Sequence, residues 1–306
     1  MSKLAIVFPG QGSQYVGMGK DLYERSPAAR ELFDRADEIL DFPLSRICFE
    51  GPEEELKQTK NTQPAIFLHS VALLRLVENR TAAMTAGHSL GEYTACVFAG
   101  AMTFEEGLKL VRMRGELMQR AGEEQRGTMA AIIGLDPKVV GEICCTAWTS
   151  GVVQCANYNA PGQIVISGSV EGVYRAMELA KARGAKMAKE IVVSGAFHSP
   201  LMQTASEGLQ KALEATPIRD ARIPVYSNVT AAPVQKSGEI RQCLEQQLMS
   251  PVRWAESVEH MIAAGATMFL EVGPGKVLQG LIRRINARVQ TAGVDKFEGT
   301  GKLAAD

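Results

Sequence analysis

Ala82-Ala83-Met84-Thr85-Ala86-Gly87-His88-Ser89-Leu90-Gly91-Glu92 is the stretch on which the reading of this chain turns. A short apolar run over 82–86 ends at Gly87, and a helical pattern follows over 90–99. Between them stands Gly87-His88-Ser89-Leu90-Gly91, a Gly-x-Ser-x-Gly. That motif needs a strand leading in and a helix leading out, because its serine sits on a sharp turn with its oxygen at the helix N-terminus. There the helix dipole and free N–H groups favour a developing negative charge. The spacing predicts a nucleophile at Ser89 with the N–H of Leu90 as oxyanion donor; a purely structural turn is the competing reading.

Outward from this turn, short strands and helices alternate. Residues 4–8 read as a buried strand, and helical spacing recurs over 26–40, 64–77 and 104–121. Such alternation predicts an α/β fold with a parallel sheet. The middle changes character: strand 129–133, helix 137–149, strands 152–156 and 163–167, helix 170–183, strand 185–193. This β-α-β-β-α-β order is the split βαβ or ferredoxin-like pattern. Gly127 and Ser194 mark the edges of an inserted subdomain, 127–193, within a core of 1–126 and 194–306. Strands are expected again near Val225 and over 267–272. The tail from Ala292 is rich in Gly, Lys and Asp and is expected to be loosely held.

Composition narrows the function. The 306 residues carry 33 Lys plus Arg against 34 Asp plus Glu, a net charge of −1, so a general attraction to nucleic acid or anionic lipid is not expected. Apolar residues at 46% and charged residues at 22% fit a compact fold rather than disorder. No apolar run reaches the ~18 residues of a membrane span, and the N-terminal run is too short for a signal sequence. Six cysteines without a Cys-x-x-Cys pair read as reduced, buried thiols of a cytoplasmic protein. No metal cluster or redox cofactor is visible.

Two nucleotide readings fail. Phe8-Pro9-Gly10-Gln11-Gly12 lacks the third glycine of a dinucleotide fingerprint, and Gly19-Lys20 and Gly275-Lys276 lack the flanks of a phosphate loop. A serine nucleophile needs a base, and the chain has four histidines. His88 adjoins Ser89, where a sharp turn points its side chain away; His69 and His260 lie in helical patterns as surface or packing residues. His198 follows a strand at the seam between subdomain and core, where catalytic side chains gather. It is favoured over a structural loop histidine. A lipase-like hydrolase places its histidine near the C-terminus, so that reading is disfavoured.

With GHSLGE (87–92), FPGQGSQ (8–14), Arg114-Gly115 and AFHS (196–199), the chain resembles the malonyl-CoA:acyl carrier protein transacylase family over most of its length. Segments 157–163, 250–254 and 271–275 match further blocks in order. The resemblance implies an α/β-hydrolase-like core with an inserted ferredoxin-like subdomain. It implies Ser89 as nucleophile and His198 as base, the imidazole oriented by a backbone carbonyl at Gln247 in place of a triad acid. Gln11 and Leu90 would donate N–H groups to the oxyanion, and Arg114 would pair with the malonyl carboxylate. Phe197 matches the malonyl-selective form of its loop, although Gly195 departs from some such members; Asn159 is expected to line the site or to shape a turn.

The implied substrates are malonyl-CoA and an acidic, phosphopantetheinylated acyl carrier protein, with no bound cofactor and the chain a monomer. Lys181, Arg183, Lys186 and Lys189, or Arg283, Arg284 and Arg288, are candidate docking patches. Competing readings are an acyltransferase serving a polyketide line, a serine thioesterase and a non-enzymatic carrier-binding module.

Overall fold

Ten strands occur in residues 3–77 and 81–302, which the computed structural model describes: β1 (Lys3–Phe8), β2 (Met84–Gly87), β3 (Gly127–Ile133), β4 (Val153–Ala160), β5 (Gln163–Ser169), β6 (Met187–Ile191), β7 (Val225–Tyr226), β8 (Pro233–Val234), β9 (Ala266–Val272) and β10 (Gln290–Val294). Six form one sheet in the order β10-β9-β1-β2-β7-β8, parallel except for the short β7–β8 pair. The other four form an antiparallel sheet, β4-β5-β3-β6. The expected mixed α/β architecture with a parallel sheet is observed.

Central parallel strands must be covered on both faces, and β1 shows how the sequence meets that demand. Ile6 and Phe8 enter one apolar core while Ala5 and Val7, on the alternate face, enter another. In the antiparallel sheet, Ala130, Ile132, Ile164 and Ile166 pack against helices Pro137–Ala147 and Val170–Ala182 in a third core. Met129 and Val165 face the other way, toward the main body. Both of those helices start on side-chain caps, Asp136 and Ser169.

The helix expected over 64–77 runs over Thr59–Leu74 instead, with Pro64 inside it. Proline removes the N–H that would bond the carbonyl of Lys60; Arg112 Nη1 donates to that carbonyl at 3.1 Å and makes up the loss. As far as Lys302 the tail also departs from expectation; residues 303–306 lie outside the described residues. Gln290–Val294 pairs in parallel with β9, and Phe297–Lys302 is helical. Asp295 accepts the Tyr15 hydroxyl at 2.9 Å, and the Phe297 N–H donates to Asp21 at 2.8 Å. The composition of the tail concealed a buried Val294, and the bonds of Asp295 to Tyr15 and of Phe297 to Asp21 tie it to the N-terminal segment. Cys145 is exposed, against the expectation of buried thiols, because it lies on the outer face of its helix beside buried Cys144.

His69 is fully buried in helix Thr59–Leu74, its Nε2 3.6 Å from Asp295 Oδ1. Burial outweighs the nearby carboxylate and pushes its pKa down from 6.5 to about 4. On acidification the unfolded chain takes up this proton near 6.5, while the folded chain refuses it until about 4. Stability is therefore lost as pH falls through that window, by up to about 3 kcal/mol from this group. The variant His69→Asn is expected to flatten the acid side of the melting-temperature profile; an identical slope would refute this assignment.

Candidate active site

The turn after β2 needs its glycines for a plain steric reason. A Cβ on Gly87 would stand 1.9 Å from the carbonyl carbon of Gly91, and one on Gly91 would stand 2.2 Å from the Phe8 carbonyl oxygen. Between them Ser89 adopts φ +50°, a left-handed conformation costing a serine roughly 1–3 kcal/mol. Neighbours hold it there. The Ser89 N–H donates to Asn228 Oδ1 at 2.7 Å, and Gln247 Nε2 donates to the Ser89 carbonyl at 3.0 Å. Asn228 Nδ2 also donates to the Gly87 carbonyl at 2.7 Å, closing the turn.

Helix Gly91–Phe98 begins beyond the serine. Among the described residues, the backbone N–H groups of Gln11 and Leu90 donate to no acceptor. Ser89, Gln11, Leu90, Asn159, Phe197 and His198 line one cleft of about 280 Å³. Its far wall is formed by Met129, Val165 and Ile191 of the antiparallel sheet.

The Ser89 hydroxyl lies 2.9 Å from His198 Nε2. On the other side of the ring, Nδ1–H donates to the carbonyls of Gln247, at 2.9 Å, and Ser250, at 3.1 Å. Two carbonyl acceptors fix the tautomer with its lone pair on Nε2. Burial, aided by the positive charge of Arg114, pushes the His198 pKa down to about 3, so the ring is neutral and presents its Nε2 lone pair to the serine hydroxyl. His198 itself has φ +56°, and its carbonyl accepts from Gln154 Nε2 at 2.7 Å. The same amide donates to the Met249 carbonyl at 3.1 Å. Gln154 stands on β4, so the antiparallel sheet braces the loops that carry the imidazole. A parallel bridge from Asn157 to Val252 fastens the same junction.

Arg114 projects from helix Phe104–Glu124, whose N-terminus is fixed by a Thr103/Glu106 capping box. The side chain is fully buried and makes no ion pair among the described residues. Nη1 donates to Gln63 Oε1 at 2.7 Å; Nη2 donates to Gln247 Oε1 and Ser89 Oγ, each at 3.0 Å. Arg112, two residues earlier, is instead paired with Glu116 at 2.6 Å. A buried guanidinium without a counter-ion is costly unless an anion visits it. It stands beside the Ser89 hydroxyl, where a bound carboxylate can supply that anion.

Every residue expected from the sequence is thus brought to one place. Asn159 reaches the cleft engaged, its Oδ1 2.8 Å from His88 Nε2. His88 is turned away from the serine hydroxyl and packs toward Trp254, with ring centroids 5.7 Å apart. Sequence reasoning missed Gln63, Glu92, Gln154, Asn228 and the side chain of Gln247. Glu92 alone carried a local signal, as the last residue of GHSLGE; the others are amides in apolar or turn segments.

The chain matches the family described as acyl transferase domain over residues 5–301. It is 50% identical over 301 residues to a malonyl CoA-acyl carrier protein transacylase of Bacillus subtilis, covering 97% of this chain and 95% of that one. An acyl carrier protein S-malonyltransferase from Vibrio cholerae superposes with a TM-score of 0.95 at 42% identity, over 99% of this chain and 100% of the other. A malonyl-transacylase solved in complex with a type II PKS acyl-carrier protein gives 0.95 at 40%, over 99% of each chain. With a Gly-x-Ser-x-Gly turn, a carbonyl-held imidazole and likeness along almost the entire chain, this protein belongs to the acyl transferase family, among the malonyl CoA-acyl carrier protein transacylases.

Proposed function

We propose that this chain moves malonyl from malonyl-CoA to the phosphopantetheine thiol of an acyl carrier protein through a malonyl-Ser89 intermediate, supplying extender units for fatty-acid synthesis. The observation that carries the reading is the buried Arg114, without an ion pair among the described residues and with Nη2 3.0 Å from Ser89 Oγ. A planar guanidinium meets a carboxylate in bidentate fashion, so the malonyl carboxylate takes the place of the serine contact and aims the thioester at Oγ.

In the first half-reaction, Ser89 Oγ bonds the thioester carbon as its proton passes to His198 Nε2. The oxyanion is held by the N–H groups of Gln11 and Leu90, each worth about 2.7–4 kcal/mol when aligned. Collapse breaks the C–S bond, and His198 returns the proton to the CoA thiolate. In the second half, His198 takes the proton of the carrier thiol, whose sulfur attacks the acyl-serine, and Ser89 leaves with that proton. Phe197 fills the space an α-methyl branch would need, and Asn159 lines the opposite wall.

The strand order supports reading 1–126 with 194–306 as an α/β-hydrolase-like core and 127–193 as a ferredoxin-like insertion. Among the two basic patches, Arg284 Nη1 donates to Gln163 at 3.0 Å, beside the cleft, which favours the Arg283, Arg284 and Arg288 face for an acidic carrier.

Intact-protein mass tests the reading. Mixed with malonyl-CoA, the wild type is expected to gain one malonyl group on Ser89 and to lose it when carrier protein is added. Free malonate as the main product would make the chain a thioesterase; no adduct and no malonyl-carrier would overturn the proposal.

A further inference from the structure

Gln247 does more than offer a carbonyl to the imidazole. Its side chain is fully buried, and each of its polar atoms is committed. Nε2 donates to Glu92 Oε2 at 2.6 Å and to the Ser89 carbonyl at 3.0 Å, while Oε1 accepts from Arg114 Nη2 at 3.0 Å. A carboxamide can be turned two ways, and here the neighbours decide. Turned over, it would set its oxygen against the Glu92 carboxyl and the Ser89 carbonyl, and its NH₂ against the guanidinium.

Glu92 is itself nearly fully buried on the first turn of helix Gly91–Phe98, and Oε2 also accepts the Asn228 N–H at 3.2 Å. It forms no ion pair among the described residues, so the Gln247 amide is the connection between this carboxyl and the one buried cation of the site. Arg114 is then gripped at both ends of its fork by amide oxygens, Gln63 on Nη1 and Gln247 on Nη2. Of the Nη2 hydrogens, one is held by Gln247 and the other is directed at Ser89 Oγ.

We infer that Glu92 and the Gln247 side chain are positioning residues for substrate choice: Glu92 fixes the orientation of the Gln247 amide, and that amide aims the Arg114 fork at the acyl group on Ser89. The backbone carbonyl of the same Gln247 serves His198, so one residue couples carboxylate recognition to proton transfer. The inference rests on Arg114 reading a malonyl carboxylate, as proposed above.

The test measures acylation of the full chain by malonyl-CoA and by acetyl-CoA, which lacks the carboxylate, in the wild type and in Gln247→Leu. Leucine keeps the backbone carbonyl and the bulk while removing the amide. The ratio of malonyl to acetyl efficiency is expected to fall by about 10- to 100-fold, chiefly through a raised KM for malonyl-CoA. A general packing defect would lower both substrates together and leave the ratio where it was; that result, or no change at all, overturns the inference. Glu92→Gln keeps an acceptor oxygen and removes the charge. It is expected to shift the ratio in the same direction, and it decides the matter if the leucine variant does not fold. Absence of any malonyl adduct on the wild type would instead sink the proposed function, before either variant is compared.

Discussion

Replacing Ser89 with alanine is expected to abolish the malonyl adduct and to lower carrier malonylation by about 10⁴-fold or more. The loss is that large because, in the proposed mechanism, the serine, its base and the oxyanion donors act as one unit. Without Oγ no covalent intermediate forms, and the neutral imidazole of His198 has no hydroxyl to deprotonate at 2.9 Å. The fold should survive the change. The left-handed turn at φ +50° is held through the backbone of residue 89, by Asn228 and by Gln247, and alanine preserves both contacts. Intact mass, transfer rate and melting temperature measured together separate the outcomes. A folded Ser89→Ala protein that still carries malonyl would place the nucleophile elsewhere.

Replacing Arg114 with alanine is expected to lower malonyl acylation by about 10²- to 10⁴-fold, the scale of leaving a desolvated carboxylate without its partner. Acetyl-CoA makes no use of the guanidinium, so its acylation should fall much less, and discrimination should collapse or reverse. Lysine should not rescue the enzyme. Its ammonium is a compact point charge, whereas the arginine fork spans Gln63, Ser89 and Gln247 together. Stability responds to opposing terms. The wild type buries this cation without an ion pair among the described residues, and alanine removes that cost but leaves the buried amide oxygens of Gln63 and Gln247 without their donor. A stable Arg114→Ala variant that still prefers malonyl would refute carboxylate recognition at this residue.

Local chemistry was the legible part of the chain. Gly87–Gly91 announced a strand-turn-helix because glycine is demanded where a Cβ would strike backbone at about 2 Å, and that demand is written within five residues. His198 emerged because only four histidines exist. Arg114 could not be told from Arg112 by spacing. What separates them is the Glu116 partner that one has and the other lacks, and resemblance supplied what pattern could not. Asn228 and the side chain of Gln247 escaped notice because they meet Ser89 across 139 and 158 positions, and an uncharged amide leaves no periodic trace. The tail was misread for a related reason. Val294 is apolar but isolated, and its strand exists because β9 offers an edge.

The Gln154 amide, reaching from β4 to the carbonyls of His198 and Met249, bears on how such enzymes can be recombined. A chimera that takes the antiparallel sheet from one relative and the remainder from another breaks at this amide first. Transplanting 127–193 without a matching partner at 154 leaves two loop carbonyls without their donor, and one of them is that of His198 itself. Exchange of acyl-pocket walls between relatives therefore has a natural unit, in which the sheet travels together with 196–199 and 247–253. Those are the segments that its edge strand grips.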